Sequence, residues 1–330
     1  MKLLNTLALS GFAAGALFLA ACGDSGSGSS APTAKAEFPD APDAAMKFIA
    51  SELSKGNGGI LWQAMPTSYQ GDVNEIVQLA STKLDAEVYD QGFALVEKLS
   101  GIVADKKDFI INTSIGGEAK SAEEKAEMEA AWPAVVSFLG TLNSSQITSL
   151  EGLKGFDGQA FFDSTVSDLL KQLDGLAALS GDEFRLADLA DMAVNVVEST
   201  EDTATLEVSV PGEEPNTGSY KKVDGRWLDE DIVNGWAEVV AGAKANLAAL
   251  TPEEMAKNKP QIIMAYSMVD GILTNLQNAQ SQEQFDQALQ GAMMPLMGLM
   301  MMGGGMNFGA PGASEVPSMP VEVPSSVDGF

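Results

Sequence analysis

The chain of 330 residues contains no histidine. Ser-His-Asp and Cys-His nucleophile systems are therefore excluded, as is the paired-histidine helix of zinc metalloproteases. It has a single cysteine, so neither an intramolecular disulfide nor a Cys/His zinc site can form. Basic residues are scarce: 19 Lys and Arg stand against 46 Asp and Glu, a formal charge of −27. Phosphate backbones are bound by clustered Lys and Arg, so DNA and RNA are not expected partners. Aromatic residues make up 7%. Together with abundant Ala, Leu, Glu and Met, this favours helices.

Hydrophobic residues make up 45% of the chain, enough to bury a core. At about 150 residues per domain, the length allows one large domain or two small ones.

Residues 1–21 read MKLLNTLALSGFAAGALFLAA, with Lys2 as the only charge. A charged start, an apolar middle from Leu3 to Leu19 and small residues at the end form the pattern of a secretory signal peptide. A membrane-spanning helix fits less well, because Asn5, Thr6, Ser10, Gly11 and Gly15 dilute the apolar stretch. Leu19-Ala20-Ala21-Cys22 resembles the lipobox of bacterial lipoproteins, and the chain's one cysteine stands at the required place. The resemblance implies cleavage before Cys22, a diacylglycerol on its thiol and a fatty acyl chain, such as palmitate, on its new amino group. Several chains anchor stably, at about 0.8 kcal/mol per buried CH₂. By the same resemblance, Gly23 in place of Asp after the cysteine implies the outer membrane in preference to the inner. Removing residues 1–21 takes away Lys2 and no acid, so the mature chain is one charge more negative. It gains nothing from an anionic lipid surface, and attachment rests on the covalent lipid.

Residues 22–37 are rich in Gly and Ser and read as a tether. About 15 such residues give an r.m.s. reach of roughly 20 Å. A body spanning 38–302 follows, with a subdivision near 184 as one option. Helices are expected from Asp43 to Ser54, after Pro66, after an Asp85 cap, and after the capping box Ser121-Ala122-Glu123-Glu124. Pro133 is expected to kink the last of these or to begin another helix. Phe161, Val166, Leu169, Leu170 and Leu173 mark a helix that closes near Ser180.

From about 192 to 228 the pattern becomes β-like. Ala204, Leu206, Val208 and Val210 alternate with polar residues. Pro211–Gly218 reads as a polar loop, and Asp224-Gly225 is a strong hairpin signal. This predicts an antiparallel meander of three or four strands. Lys222–Trp227 resembles the closing hairpin of small α+β domains of the nuclear-transport-factor-like type, and the pattern also fits any Asp-Gly hairpin that ends in a core tryptophan. Helices resume at Asp229, with Ile232, Val233, Trp236, Val239 and Val240 in one stripe. Thr251-Pro252-Glu253-Glu254 opens the next helix, Pro260 another with Tyr266, Met268 and Val269 inward, and Ser281-Gln282-Glu283-Gln284 the last. From Gly303 to Phe330 the Gly-, Pro- and Ser-rich composition predicts a disordered tail. The expected class is mainly α (α+β), a multi-helix body with a small antiparallel meander.

Candidate chemistry is sparse, and the sequence names no catalytic residue and no cofactor. The methionines after Ala292 are the most unusual feature. Met294, Met297 and Met300 would offer soft thioethers to Cu(I) on neighbouring turns. The same residues serve as adaptable packing at a helix end, or as a sticky partner-binding surface. Glu123, Glu124, Glu127 and Glu129 read as a solvated helix face, although a carboxylate pair for glycoside hydrolysis is the chemistry such acids would supply. Trp62, Trp132, Trp227 and Trp236 read as core. Asp229–Gly235 begins like a calcium loop, but Val233 breaks the ligand pattern, leaving a helix N-terminus. Ser219-Tyr220-Lys221-Lys222 matches S-x-x-K only formally, because it falls on an expected strand. The expected function is thus a lipid-anchored envelope protein with a non-enzymatic binding or structural role, held to the membrane by its N-terminal lipid and serving a protein partner. The alternatives are a carboxylate-dependent hydrolase of envelope glycans and Met-based copper handling.

Overall fold

The computed structural model describes residues 23–24, 38–115, 120–180 and 185–303, with backbone alone at 23–24, 178–180 and 294–303. The expected signal peptide (1–21), Cys22, most of the expected tether and the tail after Gly303 lie outside the described residues. Within the expected tether, strand β1 (Gly23–Asp24) is paired.

The expected class is observed: twelve α-helices and one four-stranded antiparallel sheet among the described residues. Helix α1 (Pro42–Leu53) starts with proline in its first turn and buries Ala45, Met46, Ile49 and Ala50. A short α2 (Gly59–Ala64) leads through Pro66 into α3 (Thr67–Lys83). Helix α4 (Ala86–Asp105) is capped by Asp85, whose carboxylate accepts the Val88 N–H at 3.1 Å. After α5 (Lys107–Asn112), helix α6 (Ala122–Asn143) opens on the expected capping box. The Ser121 hydroxyl accepts the Glu124 N–H, and the Glu124 carboxylate accepts the Ser121 N–H. Strand β2 (Gln146–Ile147) pairs antiparallel with β1.

Two short helices, α7 (Leu150–Lys154) and α8 (Gly158–Phe161), lead into a π-helical turn at Phe162–Val166 and then α9 (Ser167–Ser180). A 3₁₀ turn at Leu186–Asp191 precedes the sheet. Its strands β3 (Ala193–Ser199), β4 (Thr203–Ser209), β5 (Asn216–Val223) and β6 (Arg226–Asp229) lie in sequential order, each antiparallel to the next. Asp224 and Gly225 both have positive φ, 47° and 73°, as a two-residue primed hairpin turn requires. Three long helices complete the chain: α10 (Glu230–Ala249), α11 (Pro252–Asn278) and α12 (Gln282–Gly303).

The core has three parts. In the first, Trp62 of α2 and Val73 of α3 pack with Leu153 of α7, Phe161 of α8 and Trp236 of α10. The Tyr69 and Trp236 rings stack at 4.1 Å and 4°, and the Trp236 indole N–H donates to Asp72 at 2.9 Å. In the second, α1 covers one face of the sheet, over Val194, Ala204, Leu206, Tyr220 and Trp227. In the third, Ile102 of α4 meets Leu273 and Leu276 of α11 and Phe285 of α12.

The structure corrects three expectations. Pro260 does not begin a new helix; α11 runs through it, as α6 runs through Pro133. Each proline is exposed, as are Glu129 and Ala256 four residues earlier, so water can reach the carbonyls that lose their amide partners. Strand β5 begins at Asn216, inside the expected polar loop, because Asn216 pairs with Val208 across the ladder. Leu173, Val239 and Met268, expected inward, are exposed. Their helices are covered along a strip narrower than the apolar stripe. In α10, for instance, the packed positions are Ile232, Trp236 and Val240, leaving Val239 beside them in water.

Candidate functional site

The third part of the core is built on two parallel helices. Helices α4 and α11 are matched at nearly constant separation along the chain, 172 to 176 residues. At the start, Lys259 reaches Asp85 at 2.9 Å and Glu87 at 2.8 Å. Midway, the Tyr266 hydroxyl lies over Gly92, 3.1 Å from where a β-carbon would stand. Further on, Lys98 donates to the Asp270 carboxylate and the Thr274 hydroxyl, each at 2.5 Å. At the end, the Lys106 ammonium caps the carbonyl of Ala279 at 2.7 Å. Basic residues are few, and three of them set this register.

The electrostatics follow from those contacts. The Lys259 ammonium, helped by the Val88 amide, holds the Asp85 carboxyl below its ordinary value. Glu87 and then Asp85 raise Lys259. Burial raises the Tyr266 phenol.

Helix α12 turns back along this pair. Ala279 is buried in the turn, and Gln282 binds the Phe109 carbonyl while Asp286 accepts from the Thr113 hydroxyl at 2.6 Å. Phe285, Ala288 and Leu289 pack on the α4–α11 pair. Met264 is 65% exposed, and Met268 and Met293 are exposed as well. The candidate copper residues Met294, Met297 and Met300 keep their one-turn spacing on α12, where only the backbone is described. Exposed methionines thus stand on both α11 and α12. The sequence reading missed Met264. Its signal was the i, i+4 spacing to Met268, on a face other than the one holding Leu273 and Leu276.

A second exposed apolar surface is the outer strand of the sheet. Val196 and Val197 on β3 face water, at an irregularity in the β3–β4 register. An irregularity of this kind twists an edge away from further pairing.

The remaining sequence candidates fall where local rules put them. Asp229 caps α10 by accepting the Asp231 N–H, and Glu230 beside it pairs with Lys221 at 2.7 Å. Ser219 and Lys222 lie on β5; Lys222 pairs with Asp40 at 2.5 Å and stands over the Trp227 ring. Glu123, Glu124, Glu127 and Glu129 are exposed on α6. All four tryptophans are buried, and the Trp132 indole donates to the Val103 carbonyl. Among the described residues, no group of three or more His, Cys, Asp or Glu could hold a metal ion. No helix among them is long and apolar enough to cross a membrane.

The sequence reading also missed the π-helical turn. There the Ser167 hydroxyl accepts the Gly58 N–H at 2.8 Å and donates to the Phe162 carbonyl, seating the Gly56–Gly59 loop against it. A β-carbon at Gly58 would come within 2.7 Å of the Ser167 backbone, so only glycine fits there.

Three comparisons with known proteins returned nothing: no family model, no curated protein and no solved structure matches the chain.

Proposed function

We propose that the protein is exported and held at the cell envelope, in the outer membrane, by lipid on Cys22, and that its body has a non-enzymatic binding or structural role there. The observation that carries this reading is Leu19-Ala20-Ala21-Cys22, which puts the one cysteine of the chain at the end of an apolar leader. The solvent-exposed apolar residues on α11, α12 and β3 support a role in contact, since such surfaces mark interaction sites.

The hydrolase reading needs a carboxyl that keeps its proton near neutral pH. Glu52, Asp85, Glu124, Asp174 and Glu230 are displaced the opposite way, by Lys55, Lys259, the Ser121 amide, Arg185 and Lys221 respectively. These groups work as ion-pair and cap partners, and the binding reading is the better supported.

The test is metabolic labelling with an alkyne-bearing palmitate analogue in a Gram-negative host. The native chain takes up label. Cys22→Ala does not, and keeps its leader. Label on Cys22→Ala would overturn the reading.

A further inference from the structure

We infer that Gly23 and Asp24 clamp the lipid-bearing end of the chain onto strand β2. The body is then held with β2 and the start of α7 against a phospholipid bilayer, and not at the end of a loose leash. This inference deepens the reading that Cys22 carries lipid, and rests on it.

The argument begins with backbone pairing. Gly23 stands opposite Ile147 and Asp24 opposite Gln146, antiparallel. Among the described residues β1 is the strand that pairs with β2, and it also lies against α6. The first residues of an expected Gly/Ser coil are thus engaged by the fold.

β2 is a firm support. The Ile147 side chain is fully buried in the first part of the core. Its carbonyl accepts the hydroxyl of Tyr89 on α4. The Gln146 side chain accepts the N–H of Asp157, the cap of α8, at 3.2 Å. Ser145, just before β2, is buried as well. A strand fixed by the core, by α4 and by the start of α8 holds its partner in place.

The consequence for the lipid follows from covalent geometry. One peptide unit joins Cys22 to Gly23, so their α-carbons are about 3.8 Å apart. The register continued by one step sets Cys22 level with Thr148, beside the Ser149 cap of α7. Acyl chains on Cys22 enter a bilayer from that point. The link between body and lipid is then one peptide unit, in place of roughly 20 Å of coil. Residues 25–37 follow β1, on the side away from Cys22. They connect β1 to α1 without setting the height of the body above the bilayer.

The experiment uses the mature, full-length protein purified from envelopes and inserted into phosphatidylcholine vesicles that carry an acceptor-labelled lipid. A donor dye is placed through Glu151→Cys. Glu151 lies on α7 with 87% of its side chain in solvent. The Cys22 thiol is blocked by its lipid, so the dye goes to position 151 alone. Two insertions of one Gly/Ser segment that starts with Gly are compared. Placed between Cys22 and Gly23, about 20 such residues give the body roughly 25 Å of freedom, and energy transfer falls about two-fold or more. Placed after Ser30, the same segment leaves transfer at the native level. Equal losses overturn the inference, because a leash then sets the height. No loss from either insertion also overturns it, because a contact other than β1 then holds the body. Intact mass reads the Cys22 lipid separately. With lipid present, equal losses remove the clamp alone; with lipid absent, the reading of Cys22 fails and the clamp with it. A second measurement needs no insertion. Asp24→Cys with Gln146→Cys, in the lipidated chain, forms a disulfide under copper–phenanthroline, because α-carbons paired across antiparallel strands lie within its reach of about 4.4–6.8 Å. Thiols that stay free overturn the pairing.

Discussion

The Lys259 ammonium lies 2.9 Å from the Asp85 carboxylate, and this contact ties the first turn of α4 to α11 across a separation of 174 residues. Asp85 serves two purposes at once, because the same side chain accepts the Val88 N–H as the cap of α4. Asn is an equally good cap but carries no charge. Asp85→Asn therefore separates the ion pair from the cap.

The pH dependence of that variant has a definite sign. The folded carboxyl is held below 3.8, its ordinary value, so its charged form is favoured by folding. The stabilisation is complete above the unfolded value and is lost as pH falls through the lowered folded value. Urea midpoints of the native chain and Asp85→Asn should differ at pH 5–7 and converge below about pH 4. A gap that stays constant through the acid range would contradict the assignment. Comparing the two chains also cancels the self-repulsion that acid relieves in so acidic a protein.

Val196 and Leu206 face each other across β3 and β4, yet they differ completely in exposure, 45% against 0%. α1 covers Leu206 and stops short of Val196. Leu206→Ala should cost about 2–5 kcal/mol, the range for an emptied core site. Val196→Ala should stay within about 0.5 kcal/mol. Equilibrium denaturation checks both, and equal losses would contradict the placement of α1.

Two glycine-to-alanine changes should have opposite effects. At Gly158 a β-carbon would lie 2.1 Å from the Trp62 ring, which is itself buried. Gly158→Ala should destabilise by about 1–3 kcal/mol or more. At Gly242, inside α10, a β-carbon meets nothing within 4 Å. Gly242→Ala should stabilise by up to about 1 kcal/mol, through helix propensity and a less free unfolded chain. Thermal midpoints on the two variants report the signs directly.

Much of the fold was legible because its signals are local. Asp85, Ser121, Asp229 and Thr251 cap helices where their spacing to the next amides said they would. Asp224-Gly225 closes its hairpin because two successive positive φ angles select those residues. Ser281 was half right. Its hydroxyl accepts the Gln284 N–H, but the Gln284 side chain takes the N–H of Gln280 in place of Ser281.

What stayed hidden depends on distant partners. Ser167 and Gly58 are 109 residues apart, and no periodicity announces a π-helical turn that one seats against the other. The parallel register of α4 and α11 rests on Lys98, Lys106 and Lys259, single residues that read as ordinary surface charges. Pro260 misled because a proline breaks a helix only where its lost hydrogen bond has no substitute, and exposure supplies one. Of the candidate site, the methionines of α12 were legible as composition. That Met264 and Met268 face water on α11 needed the structure.

The central claim concerns one sulfur atom, and the intact mass of the mature protein extracted from its envelope measures it most directly. The account predicts a chain that begins at Cys22, heavier than its sequence by a diacylglyceryl group and one further acyl chain. A mass matching a bare thiol at Cys22, or a chain that still begins at Met1, would contradict it.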